Sequence, residues 1–473
     1  MNVLFYGVGR FFQRRREKLY KLVQKDILLG FIDKQATACR KLDGLPVYTP
    51  KEAAKIDFDA IVITSTFLEE MRSTLLTLHI PSSKILSYDA YIAIKQVGVK
   101  YEFGSWNDSQ GKKILMISEK LDYFGGALAL LHAAVAMADQ GHRITVVAPD
   151  ANEKILREFT GKSIKICIIP SIRYLKASDI LWMRKYDVCL VNVFLNGAIA
   201  IQARSLLPVL WWMHEPSNRF SSFYHDIREE FPEVCNVDNF SHLRIAAVSK
   251  RAKENFEHYY PDRVDTILPY CLPDCGQDGI DEPHESVTFA SIGGVCRLKA
   301  QDVFLQAVAL LPRQLKEKAE FRIIGSSDGA DAFSAAVREA AAREPRVRFY
   351  GVLERVEMQE AFRTIDVVVC ASREECLPTT MAEGMMYRKI CIATDCAGMD
   401  DVIESGVNGL IVPTDDAEAL ASCMARIIEQ PQKYEAMRCA ARHTYEEYFT
   451  PEKFTENLIK ELGKTIECWR KEA

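Results

Sequence analysis

The sequence predicts an α/β protein of three parallel-sheet units in series, the last two of them Rossmann-like lobes. Three observations carry that expectation. Short apolar runs of strand length recur, separated by charged amphipathic stretches. The pattern restarts after two polar segments rich in turn residues, 98–112 and 274–285. Loops bearing glycines or carboxylates follow several of the runs, which is where open α/β sheets hold their ligands.

The first unit, 1–97, has strand-like runs at 2–6, 27–31, 60–64 and 84–86. Gly7 and Gly9 lie in the loop after the first run, and Asp33 ends the second, which is most of a dinucleotide-binding fingerprint. Phe12 stands where a third glycine would let helix and strand approach closely. Two readings stay open: a nucleotide site at Gly7, Gly9 and Asp33, or a docking and oligomerisation module. The basic cluster Arg14, Arg15, Arg16, Lys18 and Lys21 reads either as a solvated helix face or as a contact for anionic lipid headgroups.

Residues 98–112, with Gly104, Asn107, Asp108, Ser109 and Gly111, read as a linker. The second unit, 113–280, has runs at 113–118, 144–148, 164–169, 188–192, 209–213, 245–248 and 266–268. Gly125 and Gly126 follow the first of these and open an apolar helix that closes at Gly141. The third unit, 285–450, has runs at 287–293, 321–324, 347–350, 366–370, 389–393 and 410–412. The remainder, 451–473, reads as a terminal helix that packs back on the second unit.

Apolar residues make up 48% of the chain and charged residues 26%, an ordinary globular balance. A net charge of −5 argues against broad nucleic-acid binding. No run approaches the ~20 apolar residues of a membrane span, and the chain begins on a strand pattern, not a signal peptide. Most of the 14 cysteines sit in apolar runs, and Cys271 and Cys275 have no second ligand pair nearby, so buried thiols are expected and no metal site.

The stretch 372–385, SREECLPTTMAEGM, is the most informative. It follows an apolar strand and carries Glu375 in a loop and Glu383 eight residues later in a helix, with Pro378 expected as that helix's first residue. The free amides of Thr379, Thr380 and Met381 would face the gap as an anion site. Carboxylates that hold hydroxyls, beside amides that hold phosphate, suit a nucleotide-sugar. Alone, the same pattern also describes a solvated strand-to-helix turn.

This stretch is one of a series in order: Gly125-Gly126, Gly141-His142, Trp211-Trp-Met-His214-Glu215, Ser249-Lys250, Ser291-Ile-Gly293, Lys299 with Gln301-Asp302, Gly325, Gly351 and Gly406 to Gly409. Through that series, residues 112–470 resemble the family 4 glycosyltransferases, which have the two-lobed GT-B fold. The first unit resembles Rossmann-like domains attached to some bacterial sugar-modifying enzymes.

The resemblance implies a nucleoside diphosphate sugar as donor substrate, retention of anomeric configuration, and no required cofactor or metal. It assigns Lys299 to the diphosphate, beside Gly293. The family's arginine directly after that glycine is Gly294 here, and Arg297 is either its substitute or a solvated loop residue. It assigns Glu375 to the donor sugar's hydroxyls, with Cys376, Leu377 and Pro378 replacing the usual glycine-aromatic-glycine run. Glu383 would hold the ribose, Gly351 and Val352 would border the base, and Gly125 and Gly126 would approach phosphate and acceptor. His214 would line the donor site as a hydrogen-bonding or proton-carrying group, and Glu215 would orient it or touch acceptor. Trp211 and Trp212 read as core.

The expected function is therefore transfer of a sugar to a hydroxyl of a glycan or lipid-linked acceptor, in surface polysaccharide or glycan synthesis. The expected location is cytoplasmic, with peripheral attachment to the inner face of the membrane and oligomerisation through the first unit as family-level readings. A non-catalytic sugar-nucleotide sensor or scaffold is the alternative that Gly294 and the extra domain favour; a nucleotide-sugar epimerase is the other.

Overall fold

The computed structural model describes residues 1–36, 41–65, 67–106, 108–276, 285–327 and 331–472. Asn107 of the expected linker and residues 277–284 of the second polar boundary lie outside the described residues. Three sheets are present among the described residues. The first comprises β1 (Asn2–Tyr6), β2 (Ile27–Ile32), β3 (Lys41–Leu42), β4 (Leu45–Tyr48), β5 (Ala60–Ile63) and β6 (Ile85–Ser87), in the order β3-β4-β2-β1-β5-β6. The sequence pattern gives four of these strands. The other two, β3 and β4, form a short antiparallel hairpin whose turn residues Asp43 and Gly44 both have positive φ, the backbone an Asp-Gly pair adopts readily.

The second sheet comprises β7 (Tyr101–Phe103), β8 (Lys113–Ile117), β9 (Arg143–Ala148), β10 (Lys165–Ile168), β11 (Val188–Asn192), β12 (Val209–Met213), β13 (Leu243–Ala247) and β14 (Thr266–Ile267), in the order β14-β13-β12-β11-β8-β9-β10-β7. β7 corrects the linker expectation for 98–112. Three residues of that segment pair antiparallel with β10, Glu102 bridges Lys100 and Lys165 (2.6 Å), and Trp106 donates its Nε1–H to Ile144 O at 2.9 Å. Turn residues flanking a three-residue strand conceal it from a composition reading.

The third sheet comprises β15 (Val287–Ile292), β16 (Ala319–Ile324), β17 (Val347–Gly351), β18 (Val367–Cys370), β19 (Ile390–Thr394) and β20 (Leu410–Val412), in the order β17-β16-β15-β18-β19-β20. Strand order reverses between β8 and β11 in the second sheet and between β15 and β18 in the third. Such switch points leave crevices at the carboxyl ends of the strands.

The helix Gly125–Asp139 is apolar almost all round because it is covered on both sides, by its sheet and by the long terminal helix Pro451–Glu472. The terminal helix crosses back to the second sheet. Trp469 donates to Arg204 O at 2.7 Å, Glu461 pairs with Arg244 at 3.0 Å, and the Phe454 ring lies 5.7 Å from that of Trp212. Trp211 and Trp212 are both fully buried, their indole N–H groups held by Val193 O and Leu268 O. Among the described residues no helix is long and apolar enough to cross a membrane.

The first domain is docked by polar contacts. Buried Arg173 pairs with Asp89 at 2.6 Å, and the Glu230 carboxylate accepts hydroxyl hydrogens from Ser87 (2.8 Å) and Tyr174 (2.9 Å). A groove of about 800 Å³ runs along this junction. Asp89→Asn leaves the Arg173 charge buried with a weaker partner, and is expected to cost on the order of 2 kcal/mol of docking. Faster proteolysis within 98–112 and an earlier urea transition would register it; unchanged cleavage would show that the apolar contacts suffice.

Candidate functional site

The two switch points face one another. On the second sheet, Gly125 and Gly126 start the helix after β8, and Val193 follows β11. Gly126 O accepts from Asn192 Nδ2 at 2.8 Å, while nothing stands within 4 Å of where a Cβ on Gly125 would sit, so this backbone is open to a ligand. Val193 is β-branched yet has φ +63°, a strained conformation. Three bonds pin it: Val193 N–H to Trp212 O (2.9 Å), Trp211 Nε1–H to Val193 O (2.8 Å), and Phe194 N–H to Glu215 Oε1 (2.6 Å).

Glu215, expected from the sequence to orient His214 or touch acceptor, places its carboxylate on backbone donors. Its buried carboxylate also accepts the His214 N–H at 3.0 Å, and its carbonyl accepts from Asn255 Nδ2 (3.2 Å) and Cys376 Sγ (3.0 Å). Burial pushes its carboxyl up to about 7, against the pull of the two backbone donors. Backbone atoms that no motif names consume its lone pairs.

His214 follows β12, its ring tilted at 65° against Trp212 with centroids 4.3 Å apart. Nε2 is buried without a hydrogen-bond partner, and burial lowers the imidazole to about 3. The ring is therefore neutral at physiological pH, fit to hydrogen-bond a hydroxyl but not to act as a cationic acid.

On the third sheet, Gly293 opens the loop after β15 at φ +141°, and the stem of Lys299 packs where its Cβ would be (3.4 Å). Gln301, fully buried, holds this loop through Gly293 O (3.4 Å) and Gly294 O (3.2 Å). The Lys299 ammonium forms an ion pair with Glu375. Burial opposes the charge, but the Glu375 carboxylate outweighs it and holds the lysine above its usual range. Arg297 is exposed, and its carbonyl is tied to Arg373 at 2.6 Å.

Pro378 is the cap preceding the helix Thr379–Met386, one position earlier than expected. Met381 N–H is used by Pro378 O (3.1 Å), so the amides of Thr379 and Thr380 remain as the helix's intrinsic free donors, two instead of three. Cys376 and Leu377 are buried. The Cys376 thiol points to the other lobe, while its carbonyl accepts from Ser249 Oγ at 2.5 Å. Gly398 touches that carbonyl so closely that a Cβ would stand 2.2 Å away. With Asn218 N–H bonding Glu374 Oε1 (2.8 Å), the Glu374–Cys376 loop is clasped to the second lobe.

Glu383 lies within the same helix. Burial raises its carboxyl to about 7, with the Arg355 charge pulling the other way. Gly351 has φ +71°, and Val352 beside it is exposed. Two residues here have no sequence signal. Tyr270, on the crossing between lobes, is buried with an unpartnered hydroxyl in the field of both Glu383 and Glu375. Arg355 opens the helix Arg355–Phe362. Neither belongs to a spaced motif; only folding brings them in.

In the first domain, Gly7 (φ +100°), Gly9 and Asp33 follow the carboxyl ends of the adjacent strands β1 and β2. Asp33 Oδ1 accepts from Gln35 N–H at 2.8 Å, and Phe12 is core, 5.4 Å from the Phe31 ring, so helix and strand stand apart by a phenyl group. Part of the basic cluster is engaged internally: Arg15 stacks over Phe11 (3.9 Å), Arg16 pairs with Asp43, and Lys18 reaches Asp150 (3.4 Å).

Three family models match the chain: C2185-like, N-terminal, over 1–86; Glycosyl-transferase family 4 over 110–263; and Glycosyl transferases group 1 over 278–444. The D-inositol 3-phosphate glycosyltransferase of Thermobifida fusca is 24% identical over 216 residues, covering 42% of this chain and 50% of the relative. That of Catenulispora acidiphila is 23% identical over 285 residues, covering 54% and 67%. The chain thus spans about half to two thirds of the length of these curated relatives. Among solved structures, the glycosyltransferase of Rickettsia africae aligns with TM-score 0.63 and 17% identity over 76% of this chain and 99% of its own. Anabaena HepE, in complex with UDP-glucose, aligns with TM-score 0.61 and 16% identity over 75% and 100%. At these identities the likeness is one of fold. With each lobe matched by its own glycosyltransferase model and the pair superposed on whole two-lobed chains, the chain carries glycosyltransferase family 4 and group 1 domains on a GT-B fold, preceded by an amino-terminal α/β domain.

Proposed function

We propose that the cleft binds a nucleoside diphosphate sugar and transfers the sugar to an acceptor hydroxyl with retention of configuration. The observation that carries this reading is the Lys299–Glu375 ion pair, set at the amino end of the helix that bears Glu383. Lys299 and the amides of Thr379 and Thr380 meet the diphosphate's charge, which grows as the glycosidic bond breaks. Glu375 turns to the sugar's hydroxyls and Glu383 to the ribose. His214, neutral and unpartnered, accepts or donates one bond to the sugar. The leaving phosphate takes the acceptor's proton as the new bond forms on the same face, so no protein base is needed there. Gly125, Gly126 and the Val193 turn border the acceptor, for which a glycan or lipid-linked saccharide hydroxyl is the class proposed. The UDP-glucose bound in HepE supports a nucleotide-sugar in a cleft of this shape.

The test is a thermal-shift screen of UDP-, GDP-, ADP- and dTDP-sugars, followed by product analysis with acceptors, since a ligand that prefers the folded state raises its stability. Glu375→Ala is expected to abolish transfer while keeping the fold. Full activity in that variant sinks the assignment. Donor binding without turnover would favour the scaffold reading, which the side-chain-free Gly294 already makes worth testing.

A further inference from the structure

Arg355 follows the Gly351–Val352 turn, and its half-exposed guanidinium reaches across the cleft. Nη1 lies 2.9 Å from Glu158 Oε1, in the helix Glu153–Thr160 of the opposite lobe, and Nη2 lies 3.9 Å from Cys275 Sγ on the crossing. Beside it, Glu354 pairs with Lys154 of the same helix at 2.7 Å. The Arg355 charge reaches Glu383, where it opposes the upward push of burial.

Charge balance makes this cation consequential. A diphosphate brings negative charge into a cleft where Lys299 is already matched by Glu375 and where Glu383 adds another carboxylate. Position 294 cannot supply the missing charge, because it is glycine. Arg373 is held by Asp302 and Asp415, and Arg297 is exposed.

We propose that Arg355 is the second cation of the donor site: when a nucleoside diphosphate enters, its guanidinium leaves Glu158 and takes the phosphate oxygens. A guanidinium fork matches phosphate bidentately, and a half-exposed pair with one glutamate is a weak competitor. The exchange gives up an inter-lobe contact, because Arg355 shares its lobe with Lys299, Thr379 and Thr380, so donor binding loosens this one tie between the lobes. The assignment rests on the donor reading above.

Isothermal titration with UDP, GDP, ADP and dTDP identifies the diphosphate that the wild type binds. Arg355→Met is expected to weaken that diphosphate roughly tenfold or more, and its unphosphorylated nucleoside hardly at all. Glu158→Gln removes the competing carboxylate, and is expected to leave the diphosphate's affinity unchanged or improved. Equal weakening by both variants would make Arg355 a latch between lobes and overturn the proposal, as would unchanged affinity in Arg355→Met. Lys299→Met separates the two levels: if it loses the diphosphate while Arg355→Met does not, the donor reading stands and this assignment falls. A wild type that binds none of the four overturns both.

Discussion

Glu383→Gln is expected to stabilise the protein at pH 8 while weakening its hold on the donor. Burial raises this carboxyl from 4.5 to about 7, with the Arg355 charge only partly opposing. The sign follows from proton binding. A folded-state value above the unfolded one means that the native chain keeps a proton which the unfolded chain releases, so stability falls as pH rises from about 4.5 to about 7, and the full penalty applies above that. A shift of this size is worth about 3 kcal/mol. Glutamine is close in shape and never ionises. Its advantage in urea midpoint should therefore be greatest near pH 8, shrink toward pH 5, and vanish below the ordinary glutamate range. Donor binding should move the other way. An ionised carboxylate accepts two ribose hydroxyls, whereas an amide offers one acceptor oxygen and a mismatched donor, a loss of about 1–3 kcal/mol. In the wild type, donor affinity should rise from pH 6 to 8 as Glu383 ionises. A variant that gains no stability would show that Glu383 is well solvated; one that keeps donor affinity would remove it from the ribose site.

That trade also marks what a sequence can reveal. The two lobes were legible because buried parallel strands leave continuous apolar runs, and the Glu375–Glu383 spacing was legible because loop and helix residues stay neighbours in the fold. Lys299 is legible only through the resemblance; its contact with Glu375 spans 76 residues. The strands β3, β4 and β7 are two to four residues long, and turn residues surround them. The duty of Glu215 is invisible because its partners are backbone N–H groups, one of them at the strained turn after Val193. Tyr270 and Arg355 reach the cleft from the crossing and from a helix start, positions that no periodicity flags. Groups whose role depends on long-range backbone geometry leave no local pattern.

Lys299→Met is expected to lower kcat by about 100- to 1,000-fold, the usual effect of removing one preorganised charge from a transition state. The ion pair sharpens the prediction. In the free protein Lys299 and Glu375 satisfy each other; under the proposed function, the ammonium turns to diphosphate and the carboxylate to sugar hydroxyls when donor binds. Each residue is thus the other's placeholder. Lys299→Met strands a carboxylate that is only 19% exposed, so the single variant should lose stability as well as rate. Adding Glu375→Gln removes the stranded charge. The double variant should regain stability over Lys299→Met yet turn over no faster than the slower single variant, because each residue has its own transition-state duty. Lys299→Arg should keep part of the rate, its charge retained but its planar fork poorly matched to a site packed against Gly293. Urea midpoints and initial rates on the four proteins close this cycle. If the double variant recovered activity along with stability, the pair would be structural, and the diphosphate's charge would have to be met elsewhere in the cleft.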